Sequence, residues 1–212
     1  MTNINQTTVW DLTLRKFQQT IASSAPTPGG GSVTIVSACF GLSLIIMAME
    51  ITAKKSDSEQ LNILNKKVHD ILEVMSKYAD KDIEVFNNYM SAFKLPKDSD
   101  EQITYRQNTI ENCILQATQT PMDAGKYILE SLKVSKEALP FIKKSVISDI
   151  GAGTAMLFGA LNGLLLNVDI NLPSINDAAV NNQFRIGKEH MINSALNLYK
   201  EISKEVSDII TP

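Results

Sequence analysis

The sequence predicts an all-α protein, a single-domain multi-helix bundle spanning residues 1–212 with two buried apolar helices. Three observations predict this fold. Apolar residues recur at helical spacings of three and four along most of the chain. The segments 33–49 and 150–166 are uncharged and more apolar than a surface helix. No segment alternates apolar and polar residues as a half-buried strand does, and 212 residues suit one hydrophobic core.

The first elements are a short amphipathic helix and a shaped loop. Residues 8–22 carry apolar side chains at helical spacing, including Leu14 and Phe17. The stretch APTPGGGS at 25–32 is a loop, because prolines and consecutive glycines do not fit inside a helix. Ser32 then stands where an N-cap belongs, before the apolar helix 33–49. Small polar residues within that helix and the absence of basic flanks favour a buried helix over a membrane span.

The longest periodic pattern covers residues 60–93 and predicts a long helix with one apolar seam. Proline at position 96 ends it, and Ser99 or Asp100 is placed to cap the next helix. Pro121 is expected to restart that helix as a separate segment, 122–134. The seam contains Val68, Leu72, Met75, Ala79, Phe86, Tyr89 and Phe93, with Asp82 in the same line.

The remainder of the chain predicts two more helices. Residues 140–147 form a connection, after which Ser148 and Asp149 stand in the position of a cap for the apolar helix 150–166. Glycines in that helix allow close backbone approach, in the core or across a subunit interface. A turn at 171–174 follows, Ser174 with Asp177 resembles a capping box, and 184–210 is a final amphipathic helix.

Composition excludes several classes of function. The formal net charge is −3, with 20 basic and 23 acidic residues and no basic block, so a nucleic acid is not an expected partner. Cys39 and Cys113 lie in apolar helical contexts, which is typical of reduced, buried thiols. His69 and His190 lack metal-ligand spacing, so no metal site is expected. The polar N-terminus lacks the build of a secretory signal, and we expect a cytoplasmic protein without a membrane anchor.

Asp82 is the clearest candidate for chemistry, because a carboxylate on an apolar seam is desolvated. Desolvation raises the pKa of a carboxyl group and suits it to proton transfer. A structural buried pair or a polar crevice between helices is the alternative interpretation. Asp80 and Glu84 are expected on the solvated face of the same helix.

Other candidates also carry a structural alternative. Bare N–H groups at the glycine loop favour an anion or a polar ring, but a tight turn between helices explains the same residues. Asp149 is either a second acid or a capping carboxylate that complements the helix dipole. Lys54 and Lys55 could bind a ligand carboxylate or form a solvated helix end.

Several ordered motifs resemble the formiminotransferase-cyclodeaminase family, in its branch of cyclodeaminases and methenyltetrahydrofolate cyclohydrolases. The resemblance covers nearly the whole chain, and several ordered motifs are more specific than the glycine loop alone. The motifs are PTPGGGSV at 26–33, MAMEIT at 47–52, Asp80-Lys81-Asp82 followed by Phe86, Leu95-Pro96, Arg106 with 117–121, VISDIG at 146–151, and Leu166-Asn167-Val168 with Ile170-Asn171-Leu172.

The resemblance implies an all-helical homodimer that acts on a tetrahydrofolate derivative, including polyglutamylated forms, without a prosthetic group or metal. Three functions follow from it: a formimidoyltetrahydrofolate cyclodeaminase, which we favour, a methenyltetrahydrofolate cyclohydrolase, or a non-catalytic dimer that binds folate or a protein partner. Both reactions pass through a tetrahedral carbon between two nitrogens and need proton transfer.

The resemblance also implies roles for particular residues. Asp82 and Asp149 would share the acid and base steps. The backbone of Gly29, Gly30, Gly31 and Ser32 would hold the pterin or an oxygen that develops charge, with Ser148 as a further substrate contact. Lys54 or Arg106 would meet a carboxylate of the glutamate tail.

Overall fold

The computed structural model describes residues 8–54 and 58–211, and in these ranges the chain is helical with no strand. Lys55, a predicted ligand-binding residue, lies outside the described residues. Short 3-10 turns join the helices, and one core contains residues from α2 to α6, which confirms the all-α bundle. The helices are α1 Leu14–Ile21, α2 Gly30–Ala53, α3 Glu59–Ala92, α4 Asp100–Ala138, α5 Ile147–Asn171 and α6 Ala178–Ile210.

The two apolar helices, α2 and α5, form the centre of the bundle and run antiparallel. The beginning of α2 meets the end of α5, since Gly31 lies against Asn167, and the backbones approach closely where Gly41 meets Gly153. A Cβ on Gly41 would lie 2.8 Å from the carbonyl oxygen of Gly153, so only glycine fits there. The predicted close approach through small residues is therefore confirmed within the chain.

The helices α2 and α5 also reach the length and hydropathy of a membrane span. Each packs mainly against the other, with Ile35, Leu42, Ile45, Leu157 and Leu161 fully buried between or beside them. This packing favours the interpretation of both as core helices. Each nevertheless keeps one face exposed, so neither is buried all round as the sequence predicted.

The predicted division of two helices is wrong. Helix α4 continues through Pro121, because Met122, Ala124 and Ile128 pack into the core and hold the helix across the missing hydrogen bond. The first predicted helix is divided into a 3-10 turn, Val9–Asp11, and α1. Thr13 causes the division, since its Oγ1 accepts from Lys16 N at 3.1 Å and caps α1.

Two predicted caps are also corrected, whereas Ser99 does cap α4. Gly29 is the N-cap of α2, and Ser32 is buried inside the first turn. Val146 is the N-cap of α5, so Ser148 and Asp149 lie within its first turn without a capping hydrogen bond. Helix α6 begins early, at Ala178, because Asp177 alone accepts from Ala179 N and Val180 N.

Asp80 does not lie on a solvated face as expected. Its carboxylate accepts from Val9 N at 2.8 Å and from Thr8 Oγ1, and Trp10 Nε1 donates to Ser76 O at 2.8 Å. These bonds tie the N-terminal segment to the middle of α3. Asp80 is therefore a structural acceptor, two residues from Asp82 and about 200° round the helix axis from it.

The predicted seam of α3 is buried only along its first two thirds. Val68, Met75 and Ala79 are completely buried, as expected for a core seam. Beyond Ala79 the seam borders an open cavity, and its residues Phe86 and Tyr89 are only half-buried. Asp82 lies where the seam opens.

Candidate functional site

A cavity of about 400 Å³ lies at the start of α2, where α3, the middle of α4 and the end of α5 converge. Its walls combine loop backbone, aromatic rings and amide side chains with a single carboxylate, a composition typical of small-molecule sites. The lining residues are Pro26, Thr27, Gly29, Gly30, Gly31, Asp82, Val85, Phe86, Tyr89, Ala117, Thr120, Asn167, Ile170, Asn171 and Ser174.

Asp82 is the charged residue of this lining, and its surroundings favour proton transfer. Burial raises the pKa of the carboxyl group, and a hydrogen bond from the backbone of Ser32 partly offsets that rise. The bond runs from Ser32 N to Asp82 Oδ2 at 2.9 Å. Because Ser32 N is one of the bare donors in the first turn of α2, the carboxylate is held at the positive end of that helix.

Gly31 is required for the acid to approach the helix. A Cβ at this position would lie 2.1 Å from Asp82 Oδ1 and 2.7 Å from Asn167 Nδ2, distances that a side chain cannot adopt. Both polar groups lie close to the same point above Gly31, so the structure brings the Asp82 carboxylate and the Asn167 amide together. At the neighbouring Gly30, an added Cβ would meet nothing within 4 Å.

Ser32 positions the site through its backbone. Its hydroxyl group is completely buried and donates to Ala79 O at 2.8 Å, which locks the first turn of α2 against α3. Ser32 is not among the residues that line the cavity, and the predicted contact of its backbone with substrate stays a prediction. Gly29, Gly30 and Gly31 do line it, and their role in substrate binding stays a prediction.

Arg106 lies outside the cavity, behind an aromatic pair. Its guanidinium carbon is 5.6 Å from the centre of the Phe93 ring, and its Nη2 donates to Phe93 O at 3.3 Å. Phe93 meets Tyr89, a lining residue, edge to face at 4.8 Å between ring centres. Arg106 is thus connected to the cavity lining through Phe93 and Tyr89.

Helix α4 contributes a backbone acceptor to the same region. Pro121 has no N–H group, so the carbonyl of Ala117, four residues earlier, has no helical donor. Ala117 and Thr120 both line the cavity. Pro121 therefore leaves the carbonyl oxygen of Ala117 without a helical hydrogen bond next to the cavity.

Lys54, Ser148 and Asp149 lie at the opposite end of the bundle. Asp149 precedes Asn167 by eighteen residues along α5, which corresponds to about 27 Å. Lys54 ends α2 at that same distant end, where Lys143 N donates to Thr52 Oγ1 at 3.2 Å. A single chain therefore does not bring Asp82 and Asp149 together.

Several lining residues were not among the predicted site residues, chiefly Asn167, Asn171, Thr120 and Ser174. Asn167 interrupts an apolar helix just as Asp82 interrupts an apolar seam, so the same signal could have identified it. Thr120 and Ser174 carry no such signal, because small polar residues are common at helix surfaces and turns.

The arrangement can bind a flat polar ring and move a proton. Phe86 and Tyr89 supply aromatic surface, Asn167 and Asn171 supply amide donors and acceptors, and Asp82 supplies an acid. Within the described ranges, no three His, Cys, Asp or Glu side chains form a group that could hold a metal ion. The expectation that the protein needs no metal stays a prediction.

A family model and two characterised relatives all match this chain over most of its length. The family model described as formiminotransferase-cyclodeaminase matches residues 13–189. Methenyltetrahydrofolate cyclohydrolase from Methylorubrum extorquens is 28% identical over 171 residues, 79% of this chain and 82% of that protein. Formimidoyltransferase-cyclodeaminase from Gallus gallus is 28% identical over 168 residues, which are 77% of this chain but 31% of that protein.

A solved structure shares the fold. The crystal structure of formiminotetrahydrofolate cyclodeaminase from Thermotoga maritima matches with a TM-score of 0.74, over 95% of this chain and 97% of that chain. The sequence identity is 23%, so this likeness supports the helical architecture.

Proposed function

The chain belongs to the formiminotransferase-cyclodeaminase family, and we propose that it is an enzyme that forms or opens the methenyl bridge of tetrahydrofolate. The observation that carries the proposal is Asp82, a carboxyl group with a raised pKa in an aromatic-walled cavity. A raised pKa keeps part of the carboxyl population protonated closer to neutral pH, where it can donate. A purely structural carboxylate would not need to line an open cavity.

The cyclodeaminase reaction is our first candidate. The N10 atom of 5-formiminotetrahydrofolate attacks the formimino carbon, a carbon–nitrogen bond forms, and the former imine nitrogen becomes an amine. A base carries the N10 proton to that nitrogen, and protonated Asp82 donates a second proton, so the nitrogen leaves as ammonia. Net charge and atoms balance, because the methenyl product carries the positive charge that the donated proton supplied.

The cyclohydrolase reaction is the second candidate, favoured by the relative from Methylorubrum extorquens, with which the match covers most of both chains. Here water adds to the methenyl carbon, Asp82 carries one of its protons to N5 as the carbon–nitrogen bond at N5 breaks, and the second proton is released to solvent, which leaves neutral 10-formyltetrahydrofolate. The same cavity serves both reactions, because ammonia and water leave or attack at the same carbon.

The lining also suggests how folate would bind. The pterin ring would lie between the glycine loop and the aromatic side chains Phe86 and Tyr89, with Asn167 and Asn171 as amide partners. The glutamate tail would leave past Tyr89 towards Arg106, whose Nε is buried without a hydrogen-bond partner among the described residues. We further propose that the protein acts in the cytoplasm.

Absorbance at the methenyltetrahydrofolate band tests the proposal with purified protein. Growth of the band from 5-formiminotetrahydrofolate, with ammonia released, supports the cyclodeaminase. Faster decay of added methenyltetrahydrofolate supports the cyclohydrolase. Folate binding measured by calorimetry without turnover in either direction would instead indicate a non-catalytic binding protein and would overturn the proposed enzyme.

A further inference from the structure

A second cavity, of about 260 Å³, lies between α3 and α4 beside the cavity that contains Asp82 (the Asp82 cavity). Its lining includes four uncharged polar side chains, Tyr78, Asn88, Gln116 and Gln119. The last three of these are exposed, so the second cavity opens to solvent on its outer side. On its inner side, Val85 and Thr120 line both cavities, which therefore lie back to back with these two side chains between them.

The boundary between the two cavities is thin and partly polar. Val85 is 8% exposed and Thr120 is 6% exposed, and both are small β-branched side chains. Val85 follows Asp82 by three residues, so the two are neighbours on one side of α3. Thr120 follows Ala117 by three residues on α4, and Pro121 leaves the Ala117 carbonyl oxygen without its helical donor. A hydroxyl group and an available carbonyl oxygen therefore lie next to the boundary.

The proposed reaction involves two molecules of very different size. Folate would occupy the Asp82 cavity, whose volume of about 400 Å³ suits a small-molecule site, and would cover its opening. Ammonia or water must then leave or reach the reacting carbon while folate is still bound. The Asp82 cavity has aromatic or aliphatic walls at Phe86, Tyr89 and Ile170, whereas the second cavity is lined mostly by polar side chains. A polar cavity behind the acid suits a small molecule that forms hydrogen bonds.

We propose that the second cavity is the passage by which ammonia leaves, or water arrives, and that Val85 and Thr120 form its neck. The inference rests on the proposed function, because only that reaction requires a small molecule to move past bound folate. A molecule at the neck hydrogen-bonds to the Thr120 hydroxyl group and the Ala117 carbonyl oxygen on its way between Asp82 and solvent. No covalent bond forms or breaks there, so Thr120 is a positioning residue. The neck admits ammonia or water and excludes folate.

The neck is tested by Thr120→Leu, with Thr104→Leu as the matched control. Leucine adds bulk and removes the hydroxyl group, whereas Thr104 is exposed on the same helix outside both cavities. We expect Thr120→Leu to lower kcat at least about tenfold while the Kd of tetrahydrofolate, measured by calorimetry, changes less than about twofold. Thr120→Ser, which keeps the hydroxyl group without added bulk, should restore most of the lost turnover. Thr104→Leu should behave as wild type.

Two outcomes of this comparison would overturn the passage. Wild-type kcat in Thr120→Leu would mean that no molecule has to cross the neck during turnover. An equal fall in kcat and in affinity for tetrahydrofolate would mean that Thr120 acts in folate binding instead. Thermal unfolding shows whether the variants are folded, and a reversible block at the outer end of the cavity decides the question where Thr120→Leu is not.

The outer end of the passage is tested by Asn88→Cys, modified with benzyl methanethiosulfonate and then reduced. Asn62→Cys is the matched control, because both residues are exposed asparagines of α3 and Asn62 lines neither cavity. The benzyl adduct at position 88 should lower turnover at least about fivefold without changing the Kd of tetrahydrofolate, and reduction should reverse the loss. The adduct at position 62 should have no effect, and wild type is the control for Cys39 and Cys113. Full turnover with the adduct at position 88 contradicts the passage.

The passage and the proposed function fail in different ways. Wild type that is inactive towards both 5-formiminotetrahydrofolate and methenyltetrahydrofolate refutes the proposed function and, with it, the passage. Active wild type whose turnover survives both Thr120→Leu and the adduct at position 88 refutes the passage alone and leaves Asp82 as the acid. Loss of turnover in these two proteins, with tetrahydrofolate binding intact and both controls active, supports the passage.

Discussion

The two ends of the α2–α5 pair are built from the same antiparallel helices but differ in what surrounds them. At one end, the first turn of α2 meets α3, and Asp82 accepts a backbone hydrogen bond inside a cavity. At the other end, Ser148 is exposed and Asp149 is partly exposed, in a first turn without a side-chain cap. A carboxylate beside the first turn of an apolar helix is therefore a candidate acid only where other helices enclose it.

The largest expected effect separates Asp82 from its neighbours on α3. Asp82→Asn should lower kcat about a thousandfold, because it removes the transferable proton. Glu84→Gln, two residues away on the exposed side, should keep wild-type turnover. Steady-state kinetics at the methenyltetrahydrofolate band measure both. Equal loss in the two variants would mean that overall charge, not the Asp82 proton, controls the rate.

Gly31 and Gly30 give the next comparison, within one turn. Gly31→Ala would force a Cβ against Asp82 and Asn167, so we expect about 2 kcal/mol of destabilisation and loss of turnover. Gly30→Ala meets no atom within 4 Å and should raise the free energy of unfolding by about 0.5–1 kcal/mol. Urea unfolding of both variants measures the difference. A tolerated Gly31→Ala would show that Asp82 is not held against α2.

Asp82 should also influence stability with pH. Its native pKa is raised above the ordinary value of 3.8, so the folded state binds more protons than the unfolded state between those two pKa values. Stability contributed by the protonated group is therefore lost as pH rises through that interval. Asp82→Asn should therefore be more stable than wild type at pH 7, and this advantage should fade as pH falls towards 3.8, as urea unfolding at several pH values would measure. A pH-independent difference would contradict the raised pKa.

The smallest effect distinguishes the backbone of Ser32 from its side chain. Ser32→Ala keeps the N–H that binds Asp82 but removes the hydroxyl that donates to Ala79 O. We expect about 1 kcal/mol of destabilisation with kcat nearly unchanged. Thermal unfolding and kinetics of the same preparation measure both. A large fall in kcat at wild-type stability would instead mean that the hydroxyl group takes part in catalysis.

The predicted helices were largely correct because helical periodicity is local. Val68, Met75 and Ala79 lie on one face of a helix because of their spacing alone. The charge-free segments 33–49 and 150–166 are apolar enough to require packing against other apolar surfaces. The helix break predicted at Pro121 is wrong because the free-energy cost of a proline inside a helix is smaller than the stabilisation from the core contacts of α4. The division at Thr13 depends on its side-chain cap, which starts a new helix inside a segment whose apolar spacing alone predicts one continuous helix.

The all-α class, the α3 seam and the polar Asp82 within that seam can be predicted from the sequence, because each depends on spacing within one helix. The tertiary structure alone decided that Asp82 faces Gly31 and Asn167 while Asp149 lies about 27 Å along α5 from that cavity. The reason is physical: spacing fixes the face on which a side chain lies, but the direction and depth of packing between helices fix which faces meet.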